Sequence, residues 1–200
     1  MSKVELNKKQ KRESLLDSAF DLFIKNGINK TSIADIAKNS GVAKGTFYLY
    51  FKDKYDIRNI LIAHKASQLF ASADAALQKE KITDVIEQII FIANHIIDDL
   101  NKDKSLLLFV AKNLSWGIFK SSLINSKNYD DLDFYDIYNK LINQDQYKFI
   151  DPEIMIFMII ELISSTCYSS ILYNEPVEIE KLKPYLFNSV RAIINEHVVA

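Results

Sequence analysis

The sequence predicts an all-α protein, with an N-terminal three-helix domain of helix-turn-helix type followed by a larger helical domain. Three observations support this. Apolar residues recur at i, i+3 and i+4 along most of the chain, and no run alternates with period two. Only four glycines and three prolines punctuate 200 residues, too few for the many turns of a β-protein. One short segment, residues 31–54, carries the stop and start signals of two helices joined by a tight turn. A composition of 48% hydrophobic and 26% charged residues is ordinary for a globular domain.

Taken in order, the first helix is expected from about Lys8 to Asn26, with Leu15, Leu16, Ala19, Phe20 and Phe23 on one face and Gly27 as its stop. The arm before it, Lys3 to Arg12, reads equally as a tail or as a further contact to a polyanion. Ser32 and Asp35 form a capping-box pattern, and Ile33, Ile36 and Ala37 make the stripe of a short second helix that ends at Asn39-Ser40-Gly41. After Val42 the third helix carries Lys44, Thr46, Tyr48 and Tyr50 outward, with Phe47 and Phe51 inward. Asp53 is placed to cap a long helix running to about Gln78, with Ile57, Ile60, Leu61, His64 and Leu69 inward. Further helices are expected near 82–100, 104–124 and 130–147. Asp151-Pro152-Glu153 opens another, to about Tyr173, and the last covers about 178–198 with Pro184 as a kink or delayed start. The expected domains are 1–52 and 53–200.

Charge is divided unevenly. Residues 1–56 hold eleven Lys/Arg against seven Asp/Glu, while the remainder holds 14 against 19, so a near-neutral chain has a basic first quarter. Beside a helix-turn-helix pattern, that asymmetry points to a nucleic-acid partner. The third helix, packed on one side and polar and basic on the other, has the character of a recognition helix.

Phe20 and Phe23 before Gly27, then Thr31-Ser32, Ile36-Ala37, Gly41-Val42, Lys44-Gly45-Thr46, Tyr48, Phe51 and Lys54 resemble the DNA-binding motif of the TetR family of bacterial transcription regulators. The likeness covers about the first quarter of the chain. Tyr55-Asp56 departs from the Glu pair more usual after the lysine, and Tyr50 stands where His is frequent. The expected DNA contacts are Thr31, Ser32, Ala43, Lys44, Gly45, Thr46, Tyr48, Tyr50 and Lys54. Lysine and hydroxyl groups suit phosphate, Gly45 allows close approach, and Thr46 and Lys44 suit base edges. At the starts of the third and fourth helices, free backbone N–H groups are expected to assist Lys44 and Lys54.

The resemblance implies an effector pocket, an operator of palindromic duplex DNA, and a homodimer. The middle helices are rich in aromatic residues, so the pocket is expected among Phe91, Phe109, Trp116, Phe119, Phe134 and Tyr138, with His95, Asn113, Glu161 and Tyr168 as polar groups. The helix from Pro152 is apolar nearly all round. Glu161, the serines at 164, 165, 169 and 170, and the lack of basic flanks argue against a membrane span. A dimer seam is expected there and on the last helix, at Ile171, Leu186, Val190, Ile193 and Ile194.

Chemistry beyond binding finds little support. His64, His95 and His197 have no ligand-spaced partners, and no phosphate loop or nucleophile elbow occurs, so no metal, cofactor or catalytic residue is expected. The acidic run Asp130, Asp131, Asp133 and Asp136 reads as a solvated helix start. The lone Cys167 and the absence of a signal segment lead to the expectation of a cytoplasmic protein. The function expected is a ligand-released repressor. The rivals are a helical small-molecule-binding or scaffold protein with a vestigial DNA-binding domain and, further off, a small helical enzyme.

Overall fold

The computed structural model describes residues 2–113, 134–144 and 146–199, with the side chains of 111–113 and 134–135 excepted. Its helices are α1 (Lys3–Asn26), α2 (Ile33–Asn39), α3 (Lys44–Phe47), α4 (Lys54–Leu77), α5 (Val85–Lys102), α6 (Lys104–Asn113), α7 (Phe134–Ile142), α8 (Pro152–Tyr173) and α9 (Ile179–Glu196). Among the described residues there is no strand, only one isolated antiparallel bridge between Phe149 and Val198.

Packing divides the chain into residues 1–64 and 65–200. The division falls inside α4 rather than at the expected 52/53, because Ile57, Leu61 and Ile62 of its first turns are buried side chains of the first unit.

In the first unit, α1 starts at Lys3, five residues earlier than expected. Ser2 Oγ accepts from the Glu5 N–H at 3.2 Å while Glu5 accepts from the Ser2 N–H at 2.6 Å, so a capping box closes the helix there. The arm Lys3 to Arg12 is therefore helical. Leu15, Leu16, Ala19, Phe23, Ile36, Ala37, Phe47 and Phe51 form the buried face, with Phe20 half-buried. The α2–α3 turn closes as the sequence implies. Gly41 has φ +71, its N–H reaches Lys38 O at 3.2 Å, and the Val42 N–H reaches Ala37 O at 3.0 Å.

The second unit is built round an aliphatic core from α4, α5, α8 and α9, joined by residues of α6 and α7. Two ionic links tie α5 to α9. Arg191 grips Glu87 with two bonds of 2.9 and 3.0 Å, and Lys183, 9% exposed, pairs with Asp98 and with Glu180 at 2.9 Å. Burial pulls the Lys183 ammonium down, but bonds to Asp98 and Glu180 outweigh it and hold its pKa above the ordinary value.

Two expectations need correction. Asp151 makes no side-chain cap; it stands at φ 46, ψ 55, where the chain turns sharply into α8. The turn is forced because the preceding segment is held to the C-terminal tail, with Ile150 N–H on His197 O at 2.7 Å and Val199 N–H on Lys148 O at 2.8 Å. Asp tolerates the left-handed region better than most residues. Pro184 neither delays nor ends α9, which runs through it from Ile179. The expected helices 104–124 and 130–147 are described only as α6 and α7; Asp130, Asp131 and Asp133 lie outside the described residues.

Candidate nucleic-acid interface

The candidate surface lies on the first unit, where α2, the turn at 40–43 and α3 leave their outer sides uncovered. Phe47, fully buried and 5.5 Å from the Phe51 ring, fixes α3 by its inner side. That leaves Ala43, Lys44, Gly45 and Tyr48 exposed, with Thr46 and Tyr50 half-buried. Ser32 is exposed too, but its hydroxyl is engaged with Asp35, accepting from the Asp35 N–H at 3.1 Å and donating to its carboxylate at 2.6 Å. These bonds hold the Asp35 carboxyl below the usual carboxylate range, the Ser32 hydroxyl contributing most.

Gly45 is informative because nothing in the protein requires it. Its backbone is not at positive φ, and no atom lies within 4 Å of the position a Cβ would occupy. Glycine in a helix costs about 1 kcal/mol relative to alanine. The smooth spot it leaves is useful only to a surface that approaches from outside.

Two of the expected contacts face inward instead. Thr31 is 2% exposed, and its hydroxyl donates to Gly27 O at 2.9 Å and Leu22 O at 3.2 Å. Lys54 points its ammonium at the carbonyls of Ile28, Asn29 and Thr31, at 3.1, 3.2 and 3.3 Å. With three donors on three acceptors it ties the start of α4 to the α1–α2 turn and has no donor left for a phosphate. The start of α4 is closed in the same way. Asp53 Oδ1 accepts from the N–H groups of Tyr55 and Asp56 at 2.8 and 2.9 Å, and Asp56 accepts from the Lys52 N–H at 2.8 Å. The bonds from Asp56 and then Tyr55 hold the Asp53 carboxyl below its ordinary range, and they occupy N–H groups at this helix start that a phosphate would otherwise meet. The side chain the sequence reading passed over is Leu49, 79% exposed beside Tyr48. Apolar periodicity assigns a leucine to the interior, so nothing in the pattern marks it as a surface group.

In the second unit an apolar cavity of about 130 Å³ lies among α4, α5, α6, α7 and α8. Leu69, Phe70, Ile97, Leu107, Leu141 and Ile159 line it, and Tyr138, Ser164 and Cys167 bring the polar atoms. Burial pushes the Cys167 thiol up to about 11, so it stays protonated and unreactive. Of the expected pocket residues, Tyr138 borders the cavity. Phe91 and His95 do not; they stack with centroids 6.3 Å apart, and His95 Nε2 lies 3.2 Å from Ser72 Oγ and 3.4 Å from Asp99. Phe109 is buried elsewhere in the unit, Glu161 is exposed, and Tyr168 pairs with the Tyr173 ring at 6.4 Å. Asn113, Trp116, Phe119 and Phe134 lie outside the residues whose side chains are described. Among the described residues the lining is mainly aliphatic, with Phe70 and Tyr138 as its aromatic members. The signal for it was the isoleucine spacing of α5 and α8, which also marks ordinary core. Among the described residues no group of His, Cys, Asp and Glu is placed to hold a metal ion.

The expected seam residues are also corrected. Ile171, Leu186, Val190 and Ile194 are 2%, 3%, 0% and 0% exposed, inside the chain's own core, and Ile193 is half-buried. A different face of α8 is uncovered, with Ile154 53%, Phe157 38% and Met158 41% exposed, followed by exposed Glu161 and Ser165 on the same side. By length and composition alone α8 could cross a membrane, and 28% of its most apolar window is buried. It packs against α6 and α9 in the core, and Glu161 interrupts the exposed stripe.

The family model described as bacterial regulatory proteins, tetR family, matches residues 15–59. The chain is 35% identical over 88 residues to the fatty acid metabolism regulator protein of Bacillus subtilis, covering 44% of this chain and 45% of that one. It is 26% identical over 181 residues to the HTH-type transcriptional regulator YvdT of the same organism, covering 88% and 92%. Among solved structures, FadR of Bacillus subtilis in complex with stearoyl-CoA superposes with a TM-score of 0.61 at 18% identity, covering 89% of this chain and 96% of that one. FadR of Bacillus halodurans gives 0.59 at 20%, with the same coverage. At these identities the structural likeness establishes the fold.

The position of Gly45 makes one sharp prediction. Gly45→Ala raises stability by about 0.5–1 kcal/mol, read as a higher melting temperature, because the helix gains and nothing is met. Its affinity for duplex DNA falls at the same time. A variant both more stable and fully competent to bind would remove Gly45 from the contact surface.

Proposed function

We propose that this chain, which belongs to the TetR family of bacterial regulatory proteins, is a homodimeric repressor released from a palindromic operator by an apolar effector. The observation that carries the reading is the first unit's outer face, where Lys44, Gly45, Thr46, Tyr48 and Tyr50 are presented while Thr31 and Lys54 are turned inward to hold the scaffold. Lys44 and Lys52 supply charge to phosphates, and the hydroxyls of Tyr48 and Tyr50 add neutral donors. No arginine stands on this surface, so bidentate guanine contacts are few and much of the affinity comes from phosphates. Expected domain roles follow the sequence: DNA binding within 1–52, effector binding and dimerisation within 53–200, all in the cytoplasm.

The second copy would cover the exposed stripe of α8, Ile154, Phe157 and Met158, with the outer side of α9 completing a four-helix seam. Two recognition helices then sit about 34 Å apart, one turn of duplex, and any change in that spacing releases the operator. The effector side rests on the cavity. Its walls are apolar, and the Bacillus subtilis FadR structure holds stearoyl-CoA. We read the effector as an acyl chain with its charged head outside. A cavity of about 130 Å³ is close to the ~150 Å³ that accommodates a benzene ring, so a longer chain enters only by displacing a wall. α5 is joined to α9 by ion pairs at two points, and the contacts of α4 with its neighbours include the Lys140–Asp74 pair at 3.1 Å and the Ser72–His95 contact. By linkage, operator DNA weakens effector binding by the same factor.

Duplexes selected from a random pool by the full chain, then challenged with stearoyl-CoA or free CoA, test the whole scheme. Release by the acyl form alone is expected. Binding indifferent to both would refute the effector reading and leave the DNA reading standing. Salt dependence separates the two lysines: Lys44→Ala flattens the log K against log salt slope by about two per dimer, roughly 0.9 per phosphate lost, while Lys54→Ala lowers the melting temperature and leaves the slope alone. A flattened slope for Lys54→Ala would return it to the interface. Assembly is read by light scattering. Met158→Asp is expected to give a folded monomer with lost operator affinity, since it places an unpaired charge in the seam; a dimer of full affinity would move the seam elsewhere.

A further inference from the structure

Leu49 has no role in the core or in the contacts assigned above, and it is the most exposed large apolar side chain among the described residues, at 79%. Its N–H bonds to Thr46 O at 3.2 Å, which places it in the turn that continues α3, one helical turn beyond Gly45. Lys44, Tyr48 and Lys52, within five residues of it along the chain, are all exposed. An aliphatic group left 79% exposed on a basic, hydroxyl-bearing face gains nothing from water. What it fits is an apolar spot on an otherwise polar, anionic surface.

The major groove of duplex DNA carries one such spot, the C5 methyl of thymine. Phosphates and sugars are reached by the long lysines and by tyrosine hydroxyls, which flank Leu49 on both sides. Gly45 removes the side chain that would hold the backbone away, and this brings position 49 within reach of base edges. We propose that Leu49 is a specificity-determining residue that packs against a thymine methyl in each half-site. The inference rests on the reading of the first unit as the DNA-binding one.

The experiment removes the methyl and the leucine separately and together. Duplexes selected by the full chain are resynthesised with deoxyuridine in place of each thymine in turn, and binding of the native chain and of Leu49→Ala is measured. At one position per half-site the native chain is expected to lose about fourfold, and about fifteenfold when both half-sites are changed, the loss equivalent to one buried methyl in each. Leu49→Ala is expected to bind the thymine and deoxyuridine forms equally at that position and to keep the native salt slope and melting curve. An equal deoxyuridine loss in both proteins, no loss at any position, or a selected site without thymine in the half-site overturns the assignment while leaving DNA binding intact. If no duplex is retained even at low salt, the DNA-binding reading itself falls, and the role of Leu49 with it.

Discussion

The first unit depends on how the end of α1 and the turn after it are held. A helix end presents carbonyls with no partner and a partial negative charge. Here that end is closed from within. The Gly27 N–H returns to Phe23 O, the Thr31 hydroxyl takes Leu22 O and Gly27 O, and the Lys54 ammonium gathers the carbonyls of Ile28, Asn29 and Thr31. A cation among carbonyls at a helix C-terminus is favoured both by charge and by hydrogen bonding. Through it the start of α4 is fixed to the α1–α2 turn, and with α2 and α3 packed on Phe47 and Phe51 the outer face is fixed as well. Any displacement of α4 in the first unit must pass through this contact.

In the second unit the division is between what is fastened and what can give. Glu87–Arg191 and Asp98–Lys183 stand at separate points along α5 and join it to α9, one bidentate and one largely buried. The bond from Arg191 holds the Glu87 carboxyl below its usual range against the opposing effect of burial. A cavity beside such a braced pair has stiff walls on that side. The other walls are formed by side chains of α4, α6, α7 and α8, most of them aliphatic.

Much of the fold was legible because helices announce their ends locally. The Ser32–Asp35 capping box, the Gly41 turn and the Asp53 cap are each decided by residues a few positions apart, and the structure places all three as read. Asp151 failed as a cap for a reason no local pattern contains: its backbone is set by a strap between residues 148–150 and the tail at 197–199. The inward faces of α1 and α3 were legible too, since a short amphipathic helix has one apolar side and one place to put it.

By itself, the sequence determined the helical class, the two-helix motif with its basic surface, and the likeness to a family of regulators. Which polar groups reach outward was settled by tertiary structure, because Thr31 and Lys54 have the chemistry for phosphate and are consumed by carbonyls 23 to 26 residues away or just before them. The same holds for α8 and α9. Periodicity marks an apolar face, but the core and a partner subunit demand the same residues of it, so only packing shows that Ile171, Leu186, Val190 and Ile194 face inward and Ile154, Phe157 and Met158 do not. The cavity was hidden in the sequence for the same reason: a lining and a core are written in the same isoleucines, and only the space between helices distinguishes them.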